Sequence, residues 1–287
     1  MSASQHLKSL TALRFLFFLC VFFSHYVING KRVLPNAGSF AVVFFFMLSG
    51  FSLCLGYGNR VEMVEYGSFI KRRLLRLWPM QAVTTLLRAI PILLIPLVLG
   101  RFDLKDLMSF ILKFFFLEAW IPDKQIIFNF NSCAWYLSPL VFCYFLFPFL
   151  YKLISRVRVS RIIAAIVGYI LVYIGFVFII PPERQQVFLY AAPYFRIFDF
   201  AIGVVLFRLY RTSTWRLRFN ERLGWGLLCL IALIAWLPLK SWPDVLKMAS
   251  VYWIPAALVI VGFSVIERTN EVRILGWKWF QVFGSAS

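Results

Sequence analysis

Arg14 and His25 sit eleven residues apart in one apolar stretch, and Lys71, Arg72, Arg73 and Arg76 cluster between two further apolar stretches. At 3.6 residues and 1.5 Å per residue, Arg14 and His25 fall on roughly one face of a helix, about 16 Å apart along it. Histidine is the side chain best poised to take a proton near neutral pH. The other histidine, His6, precedes the apolar stretch, so His25 is the candidate base. Arg73 and Arg76, at i and i+3, share a helical face, and guanidinium forks bind phosphate bidentately. Bland readings stand beside each of these. Arg14 can snorkel to headgroups, His25 can be a hydrogen-bonded interfacial residue, and the arginines can be ordinary anchors at a basic membrane face.

Further along, Asn131, Ser132, Trp135 and Ser138 open another apolar segment. Polar groups at the mouth of a membrane span could bind sugar hydroxyls, with Trp135 as a stacking surface; helix capping and an aromatic belt are the alternatives. Asp199 lies in an apolar run three residues after Arg196, which suggests an ion pair inside the membrane. Glu118 reads as a wet interfacial charge, or as a partner for His25. The five cysteines are scattered, form no C-x-x-C pair, and read as small buried hydrophobes rather than a metal or disulfide set. No G-x-S-x-G elbow, Walker loop, H-E-x-x-H or EF-hand loop is present, so soluble-enzyme catalysis has no support.

The elements that must position these groups are membrane helices. The chain is 62% hydrophobic and 15% charged, against about 45–50% and roughly 25% for a soluble domain. Its mean hydropathy is +0.81. The net charge of +18 invites a nucleic-acid reading. The cations nevertheless sit in short clusters between apolar runs, as the positive-inside rule requires, and not on one basic face. Apolar runs at 10–28, 38–56, 79–99, 134–151, 162–180, 189–207, 223–239 and 248–266 are long enough to span. The first is read as a retained helix rather than a signal peptide, because Arg14 interrupts it and no small-x-small cleavage site follows. The run 107–121 is shorter and carries Lys113 and Glu118. If the N-terminus is cytoplasmic and 107–121 does not cross, 18 of the 30 cations lie inside and nine outside. If it crosses, the basic clusters at 152–161 and 208–222 move outside, so it is expected to be interfacial or re-entrant. The fold class is thus all-α, a polytopic helical bundle of about eight to nine spans plus that segment.

Taken in order, the motifs resemble the bacterial membrane acyltransferase family three, whose members O-acylate surface polysaccharides, lipopolysaccharide, peptidoglycan and macrolides. Leu13-Arg14 leads to Ser24-His25-Tyr26. A phenylalanine run closes in Leu48-Ser49-Gly50-Phe51. Arg73, Arg76, Trp78 and Pro79 match the arginine collar, and Trp135-Tyr136-Leu137-Ser138 runs on to Phe147-Pro148. Asp199-Phe200 with Gly203 matches a later acidic motif. The resemblance implies an acyl-CoA donor, usually acetyl-CoA, on the cytoplasmic side of the bacterial inner membrane. It implies a polysaccharide or lipid-linked glycan acceptor on the outer side, and no metal and no nucleic-acid partner. By matching position it implies His25 as the catalytic residue and Arg14, Arg73 and Arg76 as donor-binding residues, and Asn131, Trp135 and Ser138, read above from their polarity, are the acceptor-side candidates. Two departures stand out. Many members carry Glu-Glu where this chain has Leu140-Val141, and the segment 280–287 resembles the lead-in to a last helix. Residues 1–287 are therefore expected to form a single membrane acyltransferase domain lacking that helix. Transport of an acyl, sugar or lipid group, and an inactive relative, remain the alternatives.

Overall fold

A computed structural model of the chain describes residues 7–34, 37–57, 65–212, 249–268 and 278–286, together with Gly226 and Leu246. The expected span at 223–239 lies outside the described residues apart from Gly226. Among the described residues five helices are long and apolar enough to cross a membrane. The count is six if the bent pair Pro182–Tyr190 and Pro193–Arg211, which meet at 51°, forms one span, and a shorter apolar helix covers Ser250–Val265. The protein is an all-α membrane bundle. Its backbone contacts group it into two compact units, residues 1–59 with 199–287, and residues 60–198.

In the first unit, α1 (Lys8–His25) and α2 (Ala37–Tyr57) run antiparallel. The Phe17 ring lies 4.1 Å from Phe44 and 4.9 Å from Phe40, centroid to centroid. The first helix ends at His25, earlier than the apolar run predicts, because the chain turns at once into a two-stranded hairpin. β1 (Val27–Ile28) pairs with β2 (Lys31–Arg32), Val27 opposite Arg32. Asn29 and Gly30 take φ of 50° and 75°, the positive-φ pair that a two-residue hairpin turn requires.

The part of α10 (Pro193–Thr212) that belongs to this unit packs against α2 with almost no side chain between them. A Cβ placed on Gly203 would collide with the Met47 carbonyl oxygen, and one on Gly50 with that of Phe200. In lipid, helices associate through such close backbone approaches rather than through a hydrophobic drive. Ser9 on α1 donates to the Phe263 carbonyl at 3.2 Å, tying in α11 (Trp253–Arg268). A last helix, α12 (Lys278–Ala286), stacks Phe283 on Phe15, and Gln281 donates to the Lys8 carbonyl at 2.8 Å.

In the second unit, α3 (Tyr66–Ala89) continues through a π-helical turn at Ile90–Leu94 into α4 (Ile95–Val98), making one run of 33 residues. The sequence places its start near 79. The helix instead begins at Tyr66 and contains the whole basic collar, since Lys, Arg and Leu are all good helix formers. Pro91 falls in the widened turn, where its ring and missing N–H disturb the regular ladder. At 1.5 Å per residue the run is about 50 Å long, against a hydrocarbon core of about 30 Å, so its collar end reaches past the apolar layer.

α7 (Leu137–Arg156) returns antiparallel to α3. Tyr66 donates to the Phe145 carbonyl at 3.1 Å, and Phe69 packs on Phe147 at 5.7 Å. α8 (Val159–Ile179) follows, and then α9 (Pro182–Gln185) with a second π turn at Gln186–Tyr190. Between α4 and α7, the stretch 104–130 folds as α5 (Leu104–Phe114), a 3₁₀ turn at Glu118–Trp120 and α6 (Lys124–Phe128). Its longest helix has 11 residues, about 16 Å, too short to span.

Candidate active site

The structure sorts the candidate residues between the two units. Arg14 and His25 belong to the first, and Arg73, Arg76, Asn131, Trp135 and Ser138 to the second. In the first unit, the half-buried Arg14 donates from Nη2 to the Ser52 hydroxyl at 3.0 Å. Ser52 directly follows the Leu-Ser-Gly-Phe stretch of α2, so that motif carries the partner of the candidate donor arginine. His25 is exposed at the opposite end of α1, as the last helical residue. The hairpin that follows fixes where the chain leaves it.

Arg73 and Arg76 share a helix but not an environment. The Arg73 guanidinium lies 5.7 Å from the Phe69 ring centroid and 5.8 Å from that of Tyr144. Such aromatic faces hold a cation by their quadrupole. Arg76 is exposed. At the far end of the same helix, Arg88 donates from Nε to the Phe130 carbonyl at 2.9 Å. Arg73 and Arg88 are fifteen residues apart, about 22 Å of helix. Asn131 and Phe130 meet α3 toward the Arg88 end, whereas Ser138 lies on α7 six residues, about 9 Å, from the Tyr144 ring that Arg73 touches.

At that far end, Asn131 donates from Nδ2 to Thr84 Oγ at 3.4 Å. Trp135 is only 7% exposed. Its ring lies 4.9 Å from Tyr190 and 6.5 Å from Phe128, so it forms a wall rather than an open stacking surface. The Ser138 hydroxyl is buried with no hydrogen-bond partner. A polar atom in that condition is rare enough to ask for a ligand or a water.

The stretch 104–130 departs from its sequence reading. Glu118 is not a wet interfacial charge: it and Lys113 are each 0% exposed, with Lys113 Nζ 3.6 Å from Glu118 Oε1. That distance is an electrostatic contact rather than a hydrogen bond, and neither carboxylate oxygen has a hydrogen-bond partner. Lys113 Nζ donates to the Ile127 carbonyl at 3.0 Å and the Asn131 carbonyl at 3.3 Å. Burial pushes the Glu118 carboxyl up to about 7 while the Lys113 ammonium pulls it down. Burial likewise lowers Lys113, with Glu118 opposing. On the surface, Asp103 and Asp123 cap α5 and α6, and Asp123 pairs with Lys105 at 3.0 Å. The Gln125 amide holds the Asp103 carboxyl below its usual range, and Lys105 does the same for Asp123.

Asp199 accepts from the Trp253 indole at 2.7 Å, a partner 54 residues away that no local spacing predicts. Arg196 lies over the Tyr190 ring at 5.1 Å.

Membrane-length helices that enclose ionisable and polar side chains define an integral membrane protein with a polar interior. The chain belongs to acyltransferase family three, whose acyltransferase domain matches residues 7–287. It is 27% identical over 284 residues to acyltransferase MdmB of Streptomyces mycarofaciens, an alignment covering 90% of this chain and 70% of that protein. No solved structure matches it.

Proposed function

We propose that the protein moves an acyl group, acetyl by the resemblance, from cytoplasmic acyl-CoA to a hydroxyl of an extracytoplasmic glycan or glycolipid. The membrane is then the bacterial inner membrane, with the N-terminus cytoplasmic. The observation that supports this reading is the layout of the second unit, where Arg73 packs on Tyr144 near the start of α3 while Asn131 meets the same helix eleven residues further on, at Thr84.

Arg73, Arg76 and Arg14 suit the donor's phosphates. The aromatic faces hold Arg73 in place, while exposed Arg76 is free to form a bidentate contact. His25 suits removal of the acceptor hydroxyl's proton. In the transfer, the thioester C–S bond breaks, an ester C–O bond forms, and the thiol leaves with a proton. Asn131 and Ser138 suit hydrogen bonding to the acceptor, with Trp135 shaping the wall.

The test follows labelled acetyl-CoA into base-labile ester in membranes containing the chain, its His25→Ala form and its Arg76→Ala form. Loss of ester with His25→Ala, and a raised donor KM with Arg76→Ala, would support the reading. Unchanged incorporation in both would overturn the site.

A further inference from the structure

A cavity of about 490 Å³ opens beside the π turn of the long helix, between Pro91, Ile92 and Pro96 on one wall and α6 with its flanks on the other. Measured from Arg76 at 1.5 Å per residue, Pro91 and Pro96 lie about 22 and 30 Å along the helix. That is one hydrocarbon thickness from the collar. The cavity therefore lies at the end of α3 away from the collar, the end that Phe130 and Asn131 meet.

Its polar lining has a definite chemical sense. Gln125 donates from Nε2 to Asp103 Oδ2 at 2.9 Å and to Asp106 Oδ1 at 3.1 Å, and Asn129 donates from Nδ2 to Asp106 Oδ1 at 2.7 Å. The amide protons are thus turned inward onto carboxylates. The polar side of the lining is therefore a linked set, Asp106, Gln125 and Asn129, with Lys124 as its cation. The other surfaces are apolar: prolines, Ile92 and the ring of Phe128. A ligand matching this lining must offer several hydrogen-bonding groups on one edge and an apolar face on the other. A pyranose ring does both, with hydroxyls around its edge and C–H groups on its face.

The wall is also held rigid. α6 has only five residues and its carbonyls cannot all be paired internally. Ser109 donates to the Ile126 carbonyl at 2.8 Å, Lys113 to those of Ile127 and Asn131, and Arg88 to that of Phe130. The buried Ser109 and Lys113, with Arg88, thus pin the backbone on either side of Phe128 and Asn129, and a preorganised wall loses less freedom when ligand binds.

Resting on the acyltransferase reading, we infer that this cavity is the docking subsite for a sugar ring of the acceptor, recognised by Asp106 and Gln125 at its edge and Phe128 at its face. The experiment uses the full chain in lipid nanodiscs with methyl gluco-, galacto-, manno- and rhamnopyranosides as probes. Binding is observed by saturation-transfer NMR, and acetyl-CoA binding is measured in the same samples. At least one pyranoside is expected to bind, and Gln125→Ala is expected to weaken it tenfold or more while acetyl-CoA binding stays within twofold. Ile92→Trp fills the cavity from the helix wall without touching the amide–carboxylate web, and is expected to do the same should Gln125→Ala fold poorly. No binding by any of the four, or binding unchanged within twofold in both variants, would overturn the subsite. Pyranoside binding lost in both variants without any acetyl transfer by the parent would leave the subsite standing and sink the acyltransferase reading. Transfer to glycan with an acceptor KM untouched by either variant would do the reverse.

Discussion

Replacing Lys113 by Met should destabilise the protein in a manner that depends steeply on pH. The ammonium has three neighbours, the carbonyls of Ile127 and Asn131 and the carboxyl of Glu118, all in a fully buried setting. Removing one partner of a buried ion pair typically costs about 3–5 kcal/mol, and each buried carbonyl left unpaired about 1–3 kcal/mol. The ionic part exists only while Glu118 is charged. Its folded value of about 7 lies above the ordinary 4.5, so folding favours the protonated acid. The stability this provides is fully present below 4.5 and is lost as pH rises through about 7. The gap is worth roughly 3 kcal/mol at 1.36 kcal/mol per pH unit. At pH 8 Lys113→Met also removes the charge that holds Glu118 ionised, so the buried acid must take up a proton at a cost, whereas at pH 5.5, where it is already protonated, only the carbonyls lose a partner. Adding Glu118→Gln to Lys113→Met should recover most of the pH 8 loss. The assay is unfolding from mixed micelles by SDS titration at both pH values, for parent, single and double variants. A Lys113→Met penalty under about 1 kcal/mol, or equal penalties at pH 5.5 and 8, would show that the pair does not work as described.

Other outcomes follow from the packing. Gly203→Ala forces a methyl into the Met47 carbonyl and should separate α10 from α2, read as loss of monodisperse protein in detergent; Gly56→Ala, with open space around it, is the control that should not. Trp253→Phe removes the indole donor from Asp199 and should cost about 1–3 kcal/mol in the same SDS titration. Ser52→Ala frees the Arg14 guanidinium from its hydroxyl partner and should raise the acetyl-CoA KM severalfold with little change in acceptor KM. A matching rise in both constants would instead mark a general loss of fold.

The spans were legible because bilayer thickness sets a length that any crossing segment must meet. The described helices accordingly lie over most of the predicted runs. Where a helix continues past the apolar layer the hydropathy signal fades, which is why the start of α3 at Tyr66 was not legible while its apolar part was. Asn29-Gly30 is a strong hairpin signal that could have ended α1 at His25. The buried pair was half visible: Lys113 and Glu118 both stood out as charges in an apolar run. That they face each other depends on a chain reversal at Phe116, whose φ of 59° no side-chain type announces. Ser52 and Trp253 were beyond reach, since their partners lie 38 and 54 residues away and only tertiary packing joins them. The cavity was invisible for the same reason. Its two walls come from 91–96 and 106–129, and its chemistry depends on which way two amide groups turn.

The glycine contact between α2 and α10 also has a meaning for biosynthesis. The groove around Met47 and Gly50 reaches the membrane early, but the part of α10 that fills it, around Gly203, comes only after residues 60–198 have been made. At ~5–20 residues per second of translation, α2 waits roughly 7 to 28 s for its partner. During that interval lipid must cover a face shaped for backbone. A ribosome stalled near residue 180 would hold the second unit's first helices complete and the first unit half built.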